Sequence, residues 1–160
     1  GVGPIPANLM IVGEAPSAED DRQGIPFVGR VGQLLASMLF SIGFKLEDVY
    51  IANALKCRPP DDRDPLAEEL AHCNPFLLQQ IERIQPKVIL ALGKVAVQSL
   101  LETNESPGQL RNSGQVRAVA GVPVIATYHP AYLLQSPAAK PESWKDLYRA
   151  RQLLINGSSA

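Results

Sequence analysis

The alternation of short apolar runs with amphipathic segments is the feature of this chain that most restricts its fold. Four runs have the length and apolar content of buried strands, and they cover residues 8–13, 48–55, 87–93 and 121–128. A segment whose apolar residues have helical spacing follows each run. This order predicts an α/β fold with a central, mostly parallel four-stranded sheet.

The helical segments are bounded by their apolar stripes and by residues that end helices. Helices are predicted over residues 28–43, 65–86, 94–102 and 141–155. In the first of them, apolar residues from Val31 to Ile42 form one stripe and Gly43 marks the end. The second contains Pro75, which predicts a break or kink because proline has no amide hydrogen to donate. The least regular segment is 103–120.

Composition limits the partners and the compartment. With 160 residues, 46% of them hydrophobic, the chain is expected to form one soluble domain. The net charge of −1 indicates no overall basic surface, so any phosphate contact must be local. A local patch or an ordinary solvated face could be formed by Arg22, Arg30, Lys56, Arg58 and Arg63. The apolar runs are too short for a membrane span, and two cysteines are too few for a disulfide scaffold. We therefore expect a cytoplasmic protein without membrane contact. A monomer is also expected, although composition does not determine the oligomeric state.

Chemically distinctive side chains stand at the ends of three predicted strands. Glu14 follows the first strand, Asn53 lies near the end of the second, and His129 follows the fourth. Pro130 favours an extended conformation at His129. Ligands collect outside the carboxyl ends of parallel strands, so we expect the three side chains to line one cavity. Each also has an ordinary alternative, as a solvated carboxylate, a partner of strand-end backbone groups and a core histidine.

Four longer strings carry a resemblance to a known family. They are GEAPSAEDDRQGIPFVGRVGQLL (13–35), YIANALKCRPP (50–60), ALGKVAVQSLL (91–101) and TYHPAYLL (127–134), with a tryptophan-containing helix after the last. In this order and at this spacing they resemble the family-4 uracil-DNA glycosylases over nearly the whole chain. The resemblance implies a three-layer α/β/α sandwich, which agrees with the element order, and a single domain over residues 1–160.

The resemblance implies two catalytic residues, Glu14 and His129. Glu14 would lie beside the scissile N-glycosidic bond and position or activate the attacking water. His129 would donate a hydrogen bond to uracil O2 as negative charge builds on the leaving base. These residue types suit the reaction, because cleavage develops positive charge on the sugar and negative charge on the base.

The resemblance also implies the residues that bind the base. Asn53 would accept from uracil N3–H and donate to O4, a pattern that cytosine reverses, and Phe27 would stack on the flipped base. Gly13 and Ala15 are further substrate-binding candidates beside Glu14. No residue in the sequence identifies itself as the wall that excludes the methyl group of thymine.

The DNA-binding residues implied by the resemblance lie in two segments. Leu133, or its neighbours Tyr132 and Leu134, would wedge into the space that the flipped base leaves, and Arg58 would contact the DNA. The chain departs from the family's usual pattern at Ser17, where glycine commonly follows GEAP, so a Cβ there could crowd the DNA or alter the turn.

A [4Fe–4S] cluster is the cofactor that the resemblance implies. Cys57 and Cys73 match the latter two of the family's four cluster cysteines, and the upstream pair has no counterpart in this sequence. Two thiolates cannot supply the four ligands that such a cluster takes. The domain is therefore expected to lack an upstream segment that carries two ligands, or to do without the cluster. Two ordinary thiols are the alternative.

The expected function is hydrolysis of the N-glycosidic bond of deoxyuridine in DNA, which releases uracil and leaves an abasic site. A uracil- or damage-recognising DNA-binding domain with weak or no catalysis is an alternative from another class. A glycosylase for another deaminated base is a second alternative. A small-molecule nucleotide enzyme is a more distant one, because no complete phosphate-binding loop is present.

Overall fold

The structure, a computed structural model, describes residues 1–156, and a five-stranded sheet lies at their centre. The strands are β1 (Leu9–Gly13), β2 (Tyr50–Asn53), β3 (Val88–Leu92), β4 (Arg117–Val119) and β5 (Val122–Thr127). Their order across the sheet is β2-β1-β3-β5-β4. The first four in that order are parallel, and β4 pairs antiparallel with β5 at one edge. The predicted α/β class is confirmed; the predicted end of the domain at residue 160 lies outside the described residues.

The count of four strands is wrong by one. The additional strand, β4, has only three residues, and Arg117 and Ala118 are exposed. A short edge strand without a buried face leaves no alternation of apolar and polar residues in the sequence. The segment 103–120, predicted to be irregular, therefore contains both this strand and a helix.

Residues 1–156 contain seven α-helices, and six of them cover the two faces of the sheet. They are α1 (Ala18–Gln23), α2 (Gly29–Phe40), α3 (Ala67–Ile84), α4 (Lys94–Leu101), α5 (Pro107–Ser113), α6 (Pro130–Gln135) and α7 (Lys140–Asn156). Helices α2, α6 and α7 share one core with Leu9 and Leu90, while α3, α4 and α5 share another with Met10 and Ile89. Successive strand residues thus face opposite cores, which makes the three-layer sandwich.

The prediction for Pro75 was a break or a kink. A break is wrong, because α3 is one continuous helix of 18 residues, and a kink stays a prediction. Pro75 lies on its exposed side, whereas Leu77, Ile81 and Ile84 are buried against the sheet. Burial of these side chains stabilises the helix by more than one missing hydrogen bond costs. The predicted stripe of α2 is confirmed, with Leu35, Met38 and Leu39 fully buried.

An ion pair joins α5 to α7 beside the end of β5. The Arg111 guanidinium donates through Nε to Asp146 Oδ1 at 2.7 Å and through Nη2 to Oδ2 at 2.6 Å. Asp146 is only 3% exposed, and Arg111 Nη1 is also 3.8 Å from the carboxylate of Glu142. This bidentate geometry fixes α5, which the sequence pattern did not predict, against the C-terminal helix.

Removal of one partner of this pair should cost more than removal of both. Asp146→Leu leaves the Arg111 guanidinium in a half-buried site without its carboxylate, and such a change costs about 3 kcal/mol. In the double variant Arg111→Leu/Asp146→Leu, apolar packing replaces the pair, and most of that loss should be recovered. Urea unfolding at pH 7 measures both. Equal losses in the single and double variants would contradict the prediction.

Candidate active site

The three strand-end residues lie along one edge of the sheet. In the parallel register Gly13 is opposite Asn53, and Leu92 is opposite Thr127, so β1, β2, β3 and β5 end together. The Leu55 amide donates to the backbone oxygen of Glu14 at 2.9 Å, which joins the segments that follow β1 and β2. The parallel arrangement therefore collects the candidate residues at the carboxyl edge, as predicted.

The Glu14 carboxylate is fixed at the start of α4. The Val95 amide donates to Glu14 Oε2 at 2.8 Å, and free amides at a helix N-terminus favour negative charge. Burial raises the pKa of Glu14, although the hydrogen bond from Val95 acts in the opposite direction. Gly93 makes this approach possible, because a Cβ there would be 2.8 Å from Glu14 Oε2. The φ angle of Gly93, +93°, also favours glycine.

The amide of Asn53 is buried with one atom unpaired. The residue is 7% exposed, and its Oδ1 has no hydrogen-bond partner within residues 1–156. A buried acceptor without a partner is destabilising by about 1–3 kcal/mol, so its persistence suggests a ligand that donates to it. A cavity of about 150 Å³ lies beside it, and its lining includes Pro16, Asp20, Pro26, Leu55 and Lys56.

The imidazole of His129 has a fixed tautomer. His129 is the N-cap of α6, and its Nδ1 accepts from the Ala131 amide at 3.0 Å. Because Nδ1 is an acceptor, the proton of the neutral ring lies on Nε2. Burial lowers the pKa of His129 to about 4, so the ring is neutral at pH 7 and Nε2–H is a donor. Its backbone is extended, as the following proline predicts.

The ring of Phe27 connects Asn53 to His129. It stacks on the His129 imidazole with centroids 5.4 Å apart and an angle of 25° between the planes. A Cβ on Gly13 would be 2.5 Å from Phe27 Cζ and 2.5 Å from Asn53 Oδ1, so the absence of a side chain there lets the two approach. Phe27 has a φ of 59°, which is costly for an aromatic residue, and Gly32 of α2 packs against its carbonyl oxygen.

The shared cavity predicted for Glu14, Asn53 and His129 is only partly formed. Asn53 lines the cavity, whereas Glu14 and His129 lie outside its lining at the same sheet edge. The Phe27 ring occupies the face of the imidazole. Ala15, the remaining substrate-binding candidate, is partly buried directly after Glu14.

Asp20 belongs to this site, and sequence reasoning missed it. It is 9% exposed and lines the cavity. Its Oδ1 accepts from the Val28 amide at 2.9 Å and its Oδ2 from the Ser17 amide at 3.1 Å. Ser17 Oγ accepts in return from the Asp20 amide at 3.1 Å, which completes a capping box for α1. The Ser-x-x-Asp spacing is typical of a capping box and could have indicated Asp20 from the sequence. Ser17 is the N-cap of α1.

The structure pairs most of the basic residues that were candidates for a phosphate patch. Lys56 Nζ donates to the Asn53 backbone oxygen at 2.8 Å and to Gln80 Oε1 at 2.5 Å, and burial lowers the pKa of Lys56 to about 8. Arg58 forms a two-bond pair with Asp62 at 2.6 and 2.8 Å. The other pairs are Arg22 with Glu19 and Arg63 with Glu69. Lys56 therefore supports the backbone of Asn53, and a DNA contact by Arg58 stays a prediction.

The candidate wedge residues differ in exposure. Leu133 is fully buried in the core formed with α2 and α7, so its side chain is not exposed at the surface, and its role as a wedge stays a prediction. Tyr132 is 47% exposed and Leu134 is partly buried. Sequence reasoning could not decide among the three because the phase of a helix of six residues is not set by so short a pattern.

The two cysteines lie near each other but do not complete a metal site. Cys57 is exposed, and the Lys56 amide directly before it donates to the Sγ of Cys73 at 3.5 Å. Over the described range 1–156, no group of three or more His, Cys, Asp and Glu residues could hold a metal ion. A [4Fe–4S] cluster takes four thiolates, so the residues present supply half of the ligands.

Comparison with known proteins identifies the family. The family model of the uracil DNA glycosylase superfamily matches residues 1–150. The chain belongs to this superfamily. It is similar to the type-4 uracil-DNA glycosylase of Archaeoglobus fulgidus, with 45% identity over 96% of this chain and 80% of the relative. It is also similar to the type-4 uracil-DNA glycosylase of Pyrobaculum aerophilum, with 43% identity over 92% of this chain and 78% of the relative. The family-4 resemblance is confirmed.

A more distant relative within the superfamily is a type-5 enzyme. The type-5 uracil-DNA glycosylase of Pyrobaculum aerophilum is 34% identical over 82% of this chain and 64% of the relative. The superfamily match extends from before β1 into α7, so it includes Glu14, Asn53 and His129. The site described above thus lies entirely within the part of the chain that the superfamily model covers.

The depressed pKa of His129 predicts a loss of stability in acid. The unfolded chain binds a proton at this residue below about pH 6.5, whereas the folded chain resists it until about pH 4, so stability falls as the pH falls through this window. The loss integrates to roughly 3 kcal/mol. In His129→Asn the side-chain oxygen can cap α6 without titrating, and the loss should be absent. Urea unfolding of both proteins between pH 7 and pH 4 measures it; parallel stability curves would refute the assignment.

Proposed function

We propose that this superfamily member is a DNA-repair glycosylase that hydrolyses the N-glycosidic bond of deoxyuridine in DNA, releases uracil and leaves an abasic site. The observation that carries the proposal is the unpaired, buried Oδ1 of Asn53 beside a cavity at the sheet edge. Uracil N3–H is a donor that fits this acceptor. The names of the relatives, uracil-DNA glycosylases of types 4 and 5, support the same substrate.

Base selection rests on Asn53 in this proposal. The side-chain Nδ2 donates to O4 of uracil while Oδ1 accepts from N3–H. Cytosine presents an acceptor at N3 and a donor at its amino group, which leaves both amide atoms facing like partners. A site of this type can discriminate by roughly 10⁴–10⁵. Lys56 holds the backbone of Asn53 through its 2.8 Å hydrogen bond and so keeps the amide in register with the base.

His129 stabilises the leaving base in the proposed mechanism. Its Nε2–H donates to uracil O2 as negative charge develops on the ring. The neutral form is sufficient, and the pKa of about 4 keeps the ring neutral through the physiological range. The fixed tautomer means that no reorganisation is needed when the charge develops, which is the condition for effective electrostatic catalysis.

Glu14 acts on the sugar side. As a carboxylate it stabilises the positive charge that develops at the anomeric carbon and positions the water that attacks there. The raised pKa of Glu14 brings its protonation closer to neutrality, so activity should decline as acid protonates it. Phe27 offers a ring that can stack on the flipped base once it leaves the face of His129.

The DNA surface is proposed to lie around α6 and the loop that follows β2. Tyr132, which is exposed, would enter the space that the flipped nucleotide leaves, with Leu134 beside it. Arg58 would contact the DNA at the expense of its exposed pair with Asp62. With a net charge of −1, affinity depends on such local contacts and should weaken with salt.

The cluster, the domain and the cellular setting stay at the level of proposals. Cys57 and Cys73 are proposed as two of the ligands of a [4Fe–4S] cluster, and no step of the mechanism depends on it. A single glycosylase domain, a monomeric state and a cytoplasmic location remain predictions. Within residues 1–156, no helix has both the length and the apolar character needed to cross a bilayer.

Loss of the His129 imidazole should reduce uracil release strongly. His129→Ala removes the donor to O2, and removal of one such donor lowers the rate by about 10²–10³. His72→Ala is the matched control, because the other histidine is exposed on α3. Single-turnover release of uracil from a deoxyuridine oligonucleotide, scored as alkali-labile sites, measures both. Unchanged release in His129→Ala would refute the mechanism, and tight binding without release by the unmodified protein would favour a recognition domain.

The contact between Gly93 and Glu14 gives a test of the carboxylate's position. Gly93→Ala places a Cβ against Oε2, whereas Gly43→Ala adds one in open space at a similar φ of +90°. Both glycines thus have a φ that disfavours alanine, but only the first variant places the new Cβ against Glu14. A displacement of about 1 Å can cost on the order of 10² in rate, so Gly93→Ala should be the slower enzyme by at least about 10-fold. Equal rates of uracil release in the two variants would show that the position of Glu14 is unimportant.

A further inference from the structure

A column of three side chains leads from the α5–α7 ion pair to the exposed ring of Tyr132. The guanidinium carbon of Arg111 is 5.1 Å from the centroid of the Tyr128 ring. The Tyr128 ring is in turn 5.0 Å from the Tyr132 ring, with 35° between the planes. Asp146 fixes the guanidinium from behind through two hydrogen bonds of 2.6 and 2.7 Å. One buried carboxylate is therefore connected through a cation and two rings to the surface.

The two ends of this column differ in their surroundings. Asp146 is 3% exposed, whereas Tyr132 is 47% exposed. The backbone that carries Tyr132 is held independently, because the adjacent Leu133 is fully buried and His129 caps α6. The ring itself is the part that needs support, since an exposed tyrosine otherwise samples several rotamers.

We propose that Arg111 and Tyr128 are positioning residues for Tyr132, which they hold in the orientation that fills the gap left by a flipped nucleotide in a DNA duplex. This inference rests on the proposed function and adds to it a set of residues that assists base flipping in duplex DNA. The tilted ring contact with Tyr128 limits the rotamers of Tyr132 before DNA binds, so less side-chain entropy is lost on insertion. The cation above Tyr128 is attracted to the face of its ring and keeps that ring in place.

Loss of the column should affect activity on duplex and single-stranded DNA differently. In a duplex, extrusion of the base breaks stacking and pairing, and a wedge offsets that cost. In a single strand there is little stacking or pairing to replace. Loss of the column should therefore lower activity on the duplex and leave activity on the single strand close to that of the unmodified protein.

The test compares uracil release from a single-stranded oligonucleotide and from the same strand in a duplex. Tyr128→Leu removes the middle ring, and Tyr128→Phe is the conservative variant that retains it. Arg111→Leu/Asp146→Leu removes the cation together with the carboxylate that needs it. The control is Arg117→Leu/Glu105→Leu, which removes an exposed ion pair of 2.5 Å that supplies neither the cation nor a ring of the column. Circular dichroism melting verifies that each variant is folded.

The expected result is a change in the duplex-to-single-strand ratio of kcat/KM. Tyr128→Leu and the Arg111/Asp146 double variant should lower this ratio by about 10-fold, the scale of one lost aromatic or cation–π contact in a desolvated site. Tyr128→Phe and the control pair should keep it within about 2-fold, because neither removes a ring from the column. Fluorescence of 2-aminopurine opposite the deoxyuridine should report less extrusion in the same two impaired variants.

The outcomes distinguish this inference from the proposed function. If both impaired variants lose activity equally on single-stranded and duplex DNA, or keep an unchanged ratio, the positioning role is refuted while the glycosylase assignment stands. If the unmodified protein releases no uracil from either substrate, the proposed function fails first. A variant that melts below the assay temperature is replaced by Tyr132→Ala, which removes both the ring and any apolar wedge. It should lower the same ratio if Tyr132 fills the gap, and an unchanged ratio would refute the positioning role.

Discussion

The parallel register of β2, β1, β3 and β5 is the constraint on which the rest of the structure depends. Parallel strands that end together place the residues after them in one row, although Glu14, Asn53 and His129 are far apart in the sequence. Both faces of the sheet are covered by buried side chains, so the strands cannot slip by one residue without exchanging two cores. The packing that stabilises the sandwich therefore also fixes the positions of Glu14, Asn53 and His129.

The site contains several features that are unfavourable in isolation. Asn53 has an unpaired buried oxygen, Phe27 has a positive φ, and Glu14 and His129 are titratable groups that are partly buried. Such features persist only where the surrounding structure determines them. Two glycines help to hold these side chains in place. At Gly13 the side chains of Asn53 and Phe27 occupy the space that a Cβ would take, and at Gly93 the carboxylate of Glu14 does so. Strain and desolvation are concentrated where ligand binding can relieve them.

Periodicity in the sequence was sufficient to predict the parallel strands, the long helices and the row of residues at the sheet edge. It did not predict β4 and α5, which are short and bury few side chains. It also did not predict that α3 continues through Pro75. Contacts between distant charges, such as Arg111 with Asp146 or Lys56 with the Asn53 carbonyl, leave no pattern along the chain. For the same reason the sequence did not predict the burial of Leu133, which depends on how α6 is rotated against α2 and α7.

The Nδ1 atom of His129 caps α6, so the order of this helix and the orientation of the imidazole are coupled. The nitrogen that caps α6 also decides which nitrogen carries the proton, so the first turn of that helix and the chemistry of the ring are ordered in a single event. If this turn frayed, the Nδ1 atom would lose its partner, and the imidazole would be free to rotate and to carry its proton on either nitrogen. Because the fully buried Leu133 lies in the same short helix, unwinding of α6 would also open the core that it forms with α2 and α7.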